Sequence, residues 1–402
     1  MFKRNIRTRA VVAAVIASTL HFAAASSAVA ETPCGGDFRA FLDGVAQEAR
    51  SQGRAEAAIS ATLAAARIDR KVLSRDRAQG VFKQTFLTFS KRSVSGYRLK
   101  QGASNLRKYA ATFQKAERDY GVPGPVIAAF WGLETDYGAV QGDFNTVSAL
   151  ATLAHDCRRP HLFRPQLLAA IEMVEHGDLD PQRTTGAWAG EIGQVQMLPE
   201  DIVRFGVDGD GNNHVDLKNS APDTIMTAAR FINHLGWRPG EPWLQEVSLP
   251  SNLPWEKSGL NFDMTVGDWS SLGVRPRTGG LPSASLPAAL LLPQGKDGPA
   301  FLAYPNFRVY LEWNQSFIYT TSAAYFATRL AGAPRYNAGN PGDGLSDAAM
   351  KDLQTRLRNR GYDVGKIDGI LGAGTRAAVR SEQLRLGLPA DGWPTQALLN
   401  RL

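Results

Sequence analysis

The chain has 402 residues, of which 44% are hydrophobic and 21% charged, with 45 lysines and arginines against 38 aspartates and glutamates. This length is typical of two or three domains, and the ordinary composition excludes collagen-like, disordered and small disulfide-framework proteins. No apolar stretch reaches the roughly 20 residues that a membrane-spanning helix needs.

The first thirty residues have the order of a secretory signal peptide. A start with four basic residues is followed by an apolar stretch over 11–20 and by small residues at 28–30. A membrane anchor is the weaker alternative, because polar residues interrupt the apolar stretch after Leu20. Cleavage after Ala30 leaves 41 basic and 38 acidic residues, a net charge of +3. No run of lysines and arginines points to a nucleic-acid partner.

Two cysteines remain in the exported chain, Cys34 and Cys157. Disulfides persist outside the cytoplasm, and two cysteines permit a single intramolecular pairing. We predict a bridge that ties the mature N-terminus to the body, with two free thiols as the alternative. Closing so long a loop stabilises a fold by about 3–5 kcal/mol in the chain-entropy model.

Residues 35–240 are predicted to be mostly helical. Apolar residues recur at helical spacing over 38–45, and 57–66 is an alanine-rich run. Two further helices are predicted over 106–120 and 123–137, the second with prolines in its first turn.

The segment FWGLETDYG over 130–138 places a carboxyl group in apolar surroundings. On a helix, Glu134 shares one face with Phe130 and Trp131. Burial there raises the pKa of a carboxyl group, and the negative end of a helix dipole that ends at Gly138 acts in the same direction. A carboxyl group that stays protonated near neutral pH can serve as general acid at a glycosidic oxygen. The alternative is a core salt bridge between Glu134 and a buried arginine.

The segment WAGEIGQVQMLP over 188–199 combines small residues with polar and aromatic ones. Small residues allow the backbone to approach a ligand closely. Gln196 supplies an amide that both donates and accepts hydrogen bonds, and Trp188 supplies a flat apolar face. These features suit a sugar, although a helix–helix crossing with small residues at the contact is a fair alternative.

The segment DGDGNNHVD over 208–216 places oxygen side chains at alternate positions, as a calcium loop does at its start. It departs from that pattern at Asn213, where a glycine is usual, and at Asn219, where a bidentate glutamate is usual. Plain turns are the alternative. The predicted ligands of a structural calcium ion are Asp208, Asp210, Asn212, His214 and Asp223.

The sequence has no HExxH, no GxSxG, no P-loop and no dinucleotide fingerprint. Phosphoryl transfer and nicotinamide redox chemistry are therefore not expected.

The second half of the chain differs from the first in residue composition. Residues 241–310 are rich in proline, glycine, serine and tryptophan, which predicts loops and short strands inserted into the helical body. A helix follows over 314–330 and is expected to pack back on the first half. Residues 333–344 read as a linker, and 345–402 as a compact tail that suits a binding module.

The tail pattern predicts three short helices. Met350, Leu353 and Leu357 form one helix face, with Gly361 as its C-terminal cap. Thr375 and Thr395 are predicted to cap the other two.

Taken together, residues from about 35 to 330 resemble the B family of lytic murein transglycosylases. The resemblance rests on FWGLETDYG, WAGEIGQVQMLP and DGDGNNHVDL, together with FNTVSALATLAHDCRR (144–159) and WNQSFIY (313–319), in the order and spacing of the family. The tail, with GYDVGKIDGILGAGTRAAV (361–379), resembles the three-helix peptidoglycan-binding domain. Two residues depart from these family patterns. Glu191 stands at a transglycosylase position where small residues are common, and Glu382 stands at a position of the binding domain that is frequently aromatic.

The resemblance implies a mainly α fold, with a lysozyme-like catalytic domain over 31–332 that carries small β and loop insertions, and a three-helix domain over 345–402. It also implies that Glu134 acts first as acid and then as base, giving 1,6-anhydromuramoyl products without water. No second carboxylate is then required, unlike the usual two-carboxylate scheme. The residues implied to line the saccharide groove are Arg158, Arg159, Gln196, Asn314 and Tyr319, with Arg164 and Ser316 as second choices.

The expected protein is thus an exported, monomeric enzyme in the periplasm of a Gram-negative bacterium. It binds peptidoglycan glycan strands and requires no cofactor besides a structural calcium ion, if one is bound. The alternatives are a muramidase that hydrolyses the same bond and a wall-binding protein without activity.

Overall fold

The computed structural model describes residues 32–78 and 84–402. The predicted signal peptide over 1–30 lies outside these residues. Within them, eleven helices precede the inserted sheet: α1 Phe38–Ser51, α2 Glu56–Ala65, α3 Arg70–Arg77, α4 Phe86–Ser93, α5 Gly96–Lys108, α6 Ala110–Tyr120, α7 Gly124–Thr135, α8 Thr146–His155, α9 Pro160–His176, α10 Pro199–Phe205 and α11 Ala221–His234.

Local sequence explains several of the helix ends. The side chains of Asp37 and Asn145 each accept a backbone N–H at 2.8 Å in the first turn of α1 and α8, which satisfies a donor that the helix leaves free. At the other end, α6 and α9 stop at Gly121 and Gly177, whose φ angles of 72° and 81° suit glycine.

Two predicted helices differ from the structure. The single helix predicted over 106–120 is wrong, because α5 and α6 meet at Tyr109, whose ψ of 30° interrupts the helix. The helix predicted over 123–137 ends at Thr135 instead of near Gly138, since Asp136 and Tyr137 have φ angles of 51° and 62°. Both side chains bond to one residue of α5: Asp136 pairs with the Arg98 guanidinium, and the Tyr137 hydroxyl donates to the Arg98 carbonyl.

The predicted insertion of short strands is confirmed. A five-stranded antiparallel sheet has the strand order β4-β6-β7-β3-β5, formed by β3 Leu244–Ser248, β4 Met264–Thr265, β5 Arg275–Pro276, β6 Pro287–Leu291 and β7 Phe301–Ala303. A short 3₁₀ helix over Trp255–Lys257 and α12 Val266–Ser271 flank it. One face of this sheet has its own apolar cluster around the buried Trp269 and Tyr304. The remaining pair, β1 Phe144–Asn145 and β2 Thr185–Gly186, lies in the helical body.

Helix α7 lies at the centre of the body. Nine of its residues are buried, and they pack against α14 Phe317–Leu330, which follows α13 Phe307–Trp313. Glycine is required at Gly132, because a Cβ there would lie 2.7 Å from the Tyr137 ring. Phe130 stacks on Tyr310 and on Trp313, with ring centroids 4.9 and 4.2 Å apart. The expected return of the C-terminal helix to the first half is therefore confirmed.

The predicted disulfide is present. Cys34 and Cys157 are bonded, with their Cα atoms 5.3 Å apart and a sequence separation of 123. The bridge joins the segment before α1 to the segment between α8 and α9.

The tail contains three helices, α15 Asp347–Asn359, α16 Ala373–Arg385 and α17 Gln396–Leu399, around the predicted apolar face of Met350, Leu353 and Leu357. Thr395 caps α17 as predicted. Thr375 does not cap a helix, because α16 begins earlier and buries Thr375 with its hydroxyl on the Val364 carbonyl. Glu382 is 2% exposed and forms an ion pair with Arg385, so a paired charge occupies the atypical position.

The segment 333–344 has neither helix nor strand and lies against the body. The Tyr336 hydroxyl bonds Ser90 at 2.7 Å, and the Asn340 N–H donates to the Asp297 carbonyl at 2.8 Å.

Candidate active site

Glu134 is in the last turn of α7, on the face that holds the buried Phe130 and Trp131. Its Oε1 accepts two hydrogen bonds, one from the Trp313 indole N–H at 2.9 Å and one from the Tyr319 hydroxyl at 2.5 Å. Among the described residues no donor reaches Oε2, and no arginine or lysine pairs with the carboxyl group. The core salt bridge is therefore not formed by this part of the chain.

Burial dominates the electrostatics of Glu134 and raises its pKa above the ordinary range of a glutamate, although the bonds from Tyr319 and Trp313 act in the opposite direction. Burial and the charge of Glu134 together raise the pKa of Tyr319 well above its usual value. Tyr319 therefore stays a neutral donor. This arrangement can hold a proton on Glu134 near neutral pH and can also stabilise the carboxylate once that proton has left.

A second carboxyl group, that of Glu191, interacts electrostatically with Glu134. Burial raises the pKa of Glu191, the charge of Glu134 raises it further, and Arg159 lowers it. Its Oε2 atom is buried and has no hydrogen-bond partner among the described residues. The sequence feature that could have indicated this carboxyl group is Glu191 itself, an acidic residue in a segment rich in small residues.

The loop over 187–198 is fixed to α7 by Gln194. The Gln194 amide oxygen accepts from the Trp131 indole at 3.0 Å, and its backbone carbonyl accepts from the Thr135 hydroxyl at 2.5 Å. The amide nitrogen of Gln196 donates to the Gly193 and Gln141 carbonyls at 2.8 and 3.2 Å. Gln196 is thus held in place by its nitrogen, and its amide oxygen has no partner among the described residues.

The predicted arginines are paired with acids. Arg158 and Arg159 both bond Asp76, which is 1% exposed. Burial raises the pKa of Asp76, but these two guanidinium groups outweigh it and hold that pKa below the usual range. Arg164 is buried and bonds Glu48 at 2.7 Å.

Of the predicted groove residues after the sheet, only Tyr319 contacts Glu134. The Asn314 amide oxygen accepts the Ser316 N–H at 2.9 Å, and the Ser316 hydroxyl caps α14 by accepting the Tyr319 N–H. These two residues thus set the start of the helix that carries Tyr319. Trp313 was missed, although it opens the segment WNQSFIY. Its ring is stacked on Phe130, which aims the indole N–H at Glu134.

The loop over 208–216, together with Asp223, brings together three of the five predicted calcium ligands. Carboxylate oxygens of Asp208, Asp210 and Asp223 lie within 4.8 Å of one another. The His214 imidazole instead bonds Asp178 at 3.1 Å, and the Asn212 amide oxygen accepts the His214 N–H. Three converging carboxylates form the hard oxygen donor set that calcium prefers, so the residues present fit that ion.

Two families match this chain. The transglycosylase SLT domain family matches residues 37–328, and the peptidoglycan binding domain family matches residues 346–402. Among curated proteins, the membrane-bound lytic murein transglycosylase B of Escherichia coli is 27% identical over 239 residues, which covers 58% of this chain. The match spans 64% of that relative's length.

Solved structures give the same result. The crystal structures of SltB3 from Pseudomonas aeruginosa in complex with NAG-anhNAM-pentapeptide and with NAG-NAM-pentapeptide are 35% identical in sequence. Each superposes with a TM-score of 0.83 over 91% of this chain and at least 99% of theirs. Slt35 of Escherichia coli in complex with calcium shares the fold, with a TM-score of 0.60 over 75% of this chain at 23% identity. The predicted mainly α, lysozyme-like fold with a helical C-terminal domain is confirmed.

None of the helices among the described residues is both long and apolar enough to cross a membrane.

Proposed function

The chain belongs to the transglycosylase SLT domain family, and from that premise we propose that it is a lytic transglycosylase of peptidoglycan. It cleaves the β-1,4 bond between N-acetylmuramic acid and N-acetylglucosamine and leaves a 1,6-anhydromuramoyl end. The observation that carries this proposal is Glu134, a buried carboxyl group with raised pKa and two neutral donors on one oxygen.

Glu134 has two successive roles. Its carboxyl group first gives a proton to the glycosidic oxygen while the bond from that oxygen to C1 breaks. The carboxylate that remains is stabilised by Trp313 and Tyr319. It then takes the proton of the muramic 6-hydroxyl as that oxygen bonds to C1, which restores Glu134 and consumes no water.

The groove residues act around this pair of proton transfers. Tyr319 positions Glu134 directly, and the free amide oxygen of Gln196 is a hydrogen-bond acceptor for a sugar hydroxyl. Asn314 supports Tyr319 through the start of α14. Arg158 and Arg159 each use part of the guanidinium group to bind Asp76. Their remaining N–H donors are available to the glycan strand.

The tail over 345–402 binds the wall and keeps the catalytic domain near an insoluble polymer, which raises the local concentration of substrate. The linker over 333–344 joins the two domains. This chain matches SltB3 over nearly the whole length of SltB3, which was crystallised with glycopeptides. That match supports glycan strands with attached peptide stems as the substrate here. The protein acts as a monomer in the periplasm of a Gram-negative bacterium, exported by the leader over 1–30.

A calcium ion at Asp208, Asp210 and Asp223 would fix the loop that leads into α11. It would supply structural charge compensation and take no part in the proton transfers, which use Glu134 alone. The fold therefore needs no cofactor for the reaction itself.

The product end group tests the proposal. Mass spectrometry of purified murein digested by the protein should show muropeptides that are lighter by one water than those with reducing ends. Reducing ends as the main product would identify a hydrolytic muramidase instead.

A further inference from the structure

The tail packs against the body through an arginine that has almost no exposed surface. Arg376 of α16 is 7% exposed, and its Nη2 donates to the Pro293 carbonyl at 2.8 Å. Its guanidinium group lies 4.8 Å from the centre of the Phe317 ring and 5.8 Å from that of Trp393. The Nε atom is buried, and no atom of residues 32–78 or 84–402 accepts a hydrogen bond from it.

A second arginine, one turn further along α16, lines the same cavity. Arg380 is half-buried, and among the described residues it forms no hydrogen bond and no ion pair within 4 Å. We call Arg376 and Arg380 with the cavity between them the arginine seam. The cavity has a volume of about 60 Å³, roughly that of two water molecules at ~30 Å³ each.

The charges in the arginine seam are poorly compensated. Asp391 is the one carboxylate among the lining residues, and its oxygens already accept from Gln383, Trp393 and the backbone N–H of Lys296. Burial, followed by the charge of Arg380, lowers the pKa of Arg376 to about 9. Burial also lowers the pKa of Arg380, and Asp391 opposes that shift. A buried charge is costly unless an anion with matching hydrogen-bond geometry accompanies it.

We propose that the arginine seam binds a carboxylate of a peptidoglycan peptide stem. Planar guanidinium groups match a carboxylate with two parallel hydrogen bonds, and the cavity has room for that group. The sugar strand itself offers only neutral hydroxyl and acetamido groups, whereas the stems end in carboxylates. The site rests on the proposed function for its ligand but uses none of the catalytic residues.

The location connects this site to the active site. Phe317, under the Arg376 guanidinium, is in the first turn of α14, two residues before Tyr319, which bonds Glu134. A stem held at the seam would therefore hold its glycan strand against the helix that positions the catalytic acid.

The test measures binding of a soluble stem tetrapeptide with free carboxylates to the full mature chain by calorimetry. The same peptide with every carboxylate amidated is the ligand control. Arg380→Gln should weaken binding of the free acid at least tenfold, and Arg376→Gln should do the same. Lys366→Gln removes the same charge from the exposed face of the tail and should leave the Kd unchanged. Glu134→Gln should also bind as the wild type does.

Equal binding of the acid and amidated peptides, or an unchanged Kd in Arg380→Gln, would overturn the proposal. Inorganic phosphate provides a further arm: binding of phosphate but not of the peptide, with the same dependence on Arg380, would show a site for small anions and contradict a stem ligand. Because the peptide lacks a glycosidic bond, these results are independent of whether the protein cleaves murein. Melting temperatures identify a variant that fails to fold, and Arg380→Gln, which breaks no hydrogen bond of the described chain, then decides the question.

Discussion

Glu134 experiences two opposing influences on its pKa, which together suit the proposed role of giving and then taking a proton. Burial favours its neutral form, and the donors Tyr319 and Trp313 favour its charged form. Because burial dominates, the proton is retained to higher pH than on an exposed glutamate. Acid catalysis should therefore persist above the ordinary glutamate range and fall as the pH rises through the raised pKa of Glu134.

Tyr319→Phe removes the hydroxyl that donates to Glu134 Oε1. Since that hydrogen bond lowers the pKa of Glu134, its loss should raise the pKa and move the basic limb of the kcat/KM profile to higher pH. A bond to a charged group contributes about 1.5–3 kcal/mol, so kcat should fall by roughly tenfold or more. The pH profile on a soluble muropeptide substrate provides the measurement.

Tyr310→Phe is the matched control, because the Tyr310 hydroxyl is buried nearby and has no hydrogen-bond partner in the part of the chain that the structure describes. It should leave both the profile and kcat near the wild-type values. A basic limb that stays fixed in Tyr319→Phe would show that the hydroxyl does not tune Glu134.

Glu191 has a pKa that burial raises, so its contribution to stability is present at low pH and is lost as the pH rises through its folded-state value. Glu191→Gln removes that pH dependence. We expect the variant to gain about 1 kcal/mol relative to the wild type at pH 8 and less at pH 4, because only the ionised carboxylate is penalised. Thermal unfolding of the variant and the wild type at the two pH values measures this gain in stability. A gain that is the same at both pH values would show that the raised pKa of Glu191 does not cost the fold stability.

At the scale of elements, helical spacing predicted the buried face of α7 because that pattern is local. The break at Tyr109 and the end at Thr135 were not predicted, since both depend on contacts with other helices, such as those of Asp136 and Tyr137 with Arg98. The capping role predicted for Thr375 failed for the same reason. Thr375 lies inside α16, and its hydroxyl donates to the Val364 carbonyl and accepts from the Gln354 amide of α15.

The site could be predicted only in part. Glu134 stands out from spacing, but its donors Trp313 and Tyr319 lie 179 and 185 positions later in the chain. Tyr319 was found by family resemblance, and Trp313 was not. No local pattern reports that Asp76 pairs with Arg158 and Arg159, because these residues meet only in the folded body.

The disulfide between Cys34 and Cys157 links elements that are far apart in the chain. Replacing both cysteines with serine should lower the free energy of unfolding by about 3–5 kcal/mol, since the unfolded chain regains the freedom of a long loop. Denaturant unfolding measures the loss. Activity at low temperature should persist, because the hydrogen bonds to Glu134 come from α13 and α14, neither of which carries a bridged cysteine. An unchanged midpoint would refute a stabilising role.

At the scale of the whole molecule, the proposed role of the tail is to tether the catalytic domain to the wall. A chain that ends after residue 344 should lose activity on intact sacculi at least tenfold while keeping most of its activity on short soluble muropeptides. Parallel assays on the two substrates provide the comparison.

Because the tail also covers Phe317, the shortened chain needs a control for stability. A melting temperature near that of the full chain shows that the body is intact. An equal loss on both substrates in a well-folded body would contradict tethering and indicate that the tail supports the active site directly.

The most direct measurement is the digestion of murein by Glu134→Gln beside the wild type. Gln cannot give up a proton to the glycosidic oxygen, so the variant should release no anhydromuropeptides above background while still sedimenting with sacculi through its tail. Wild-type levels of anhydro products from the folded variant would contradict the assignment of the acid and base to Glu134.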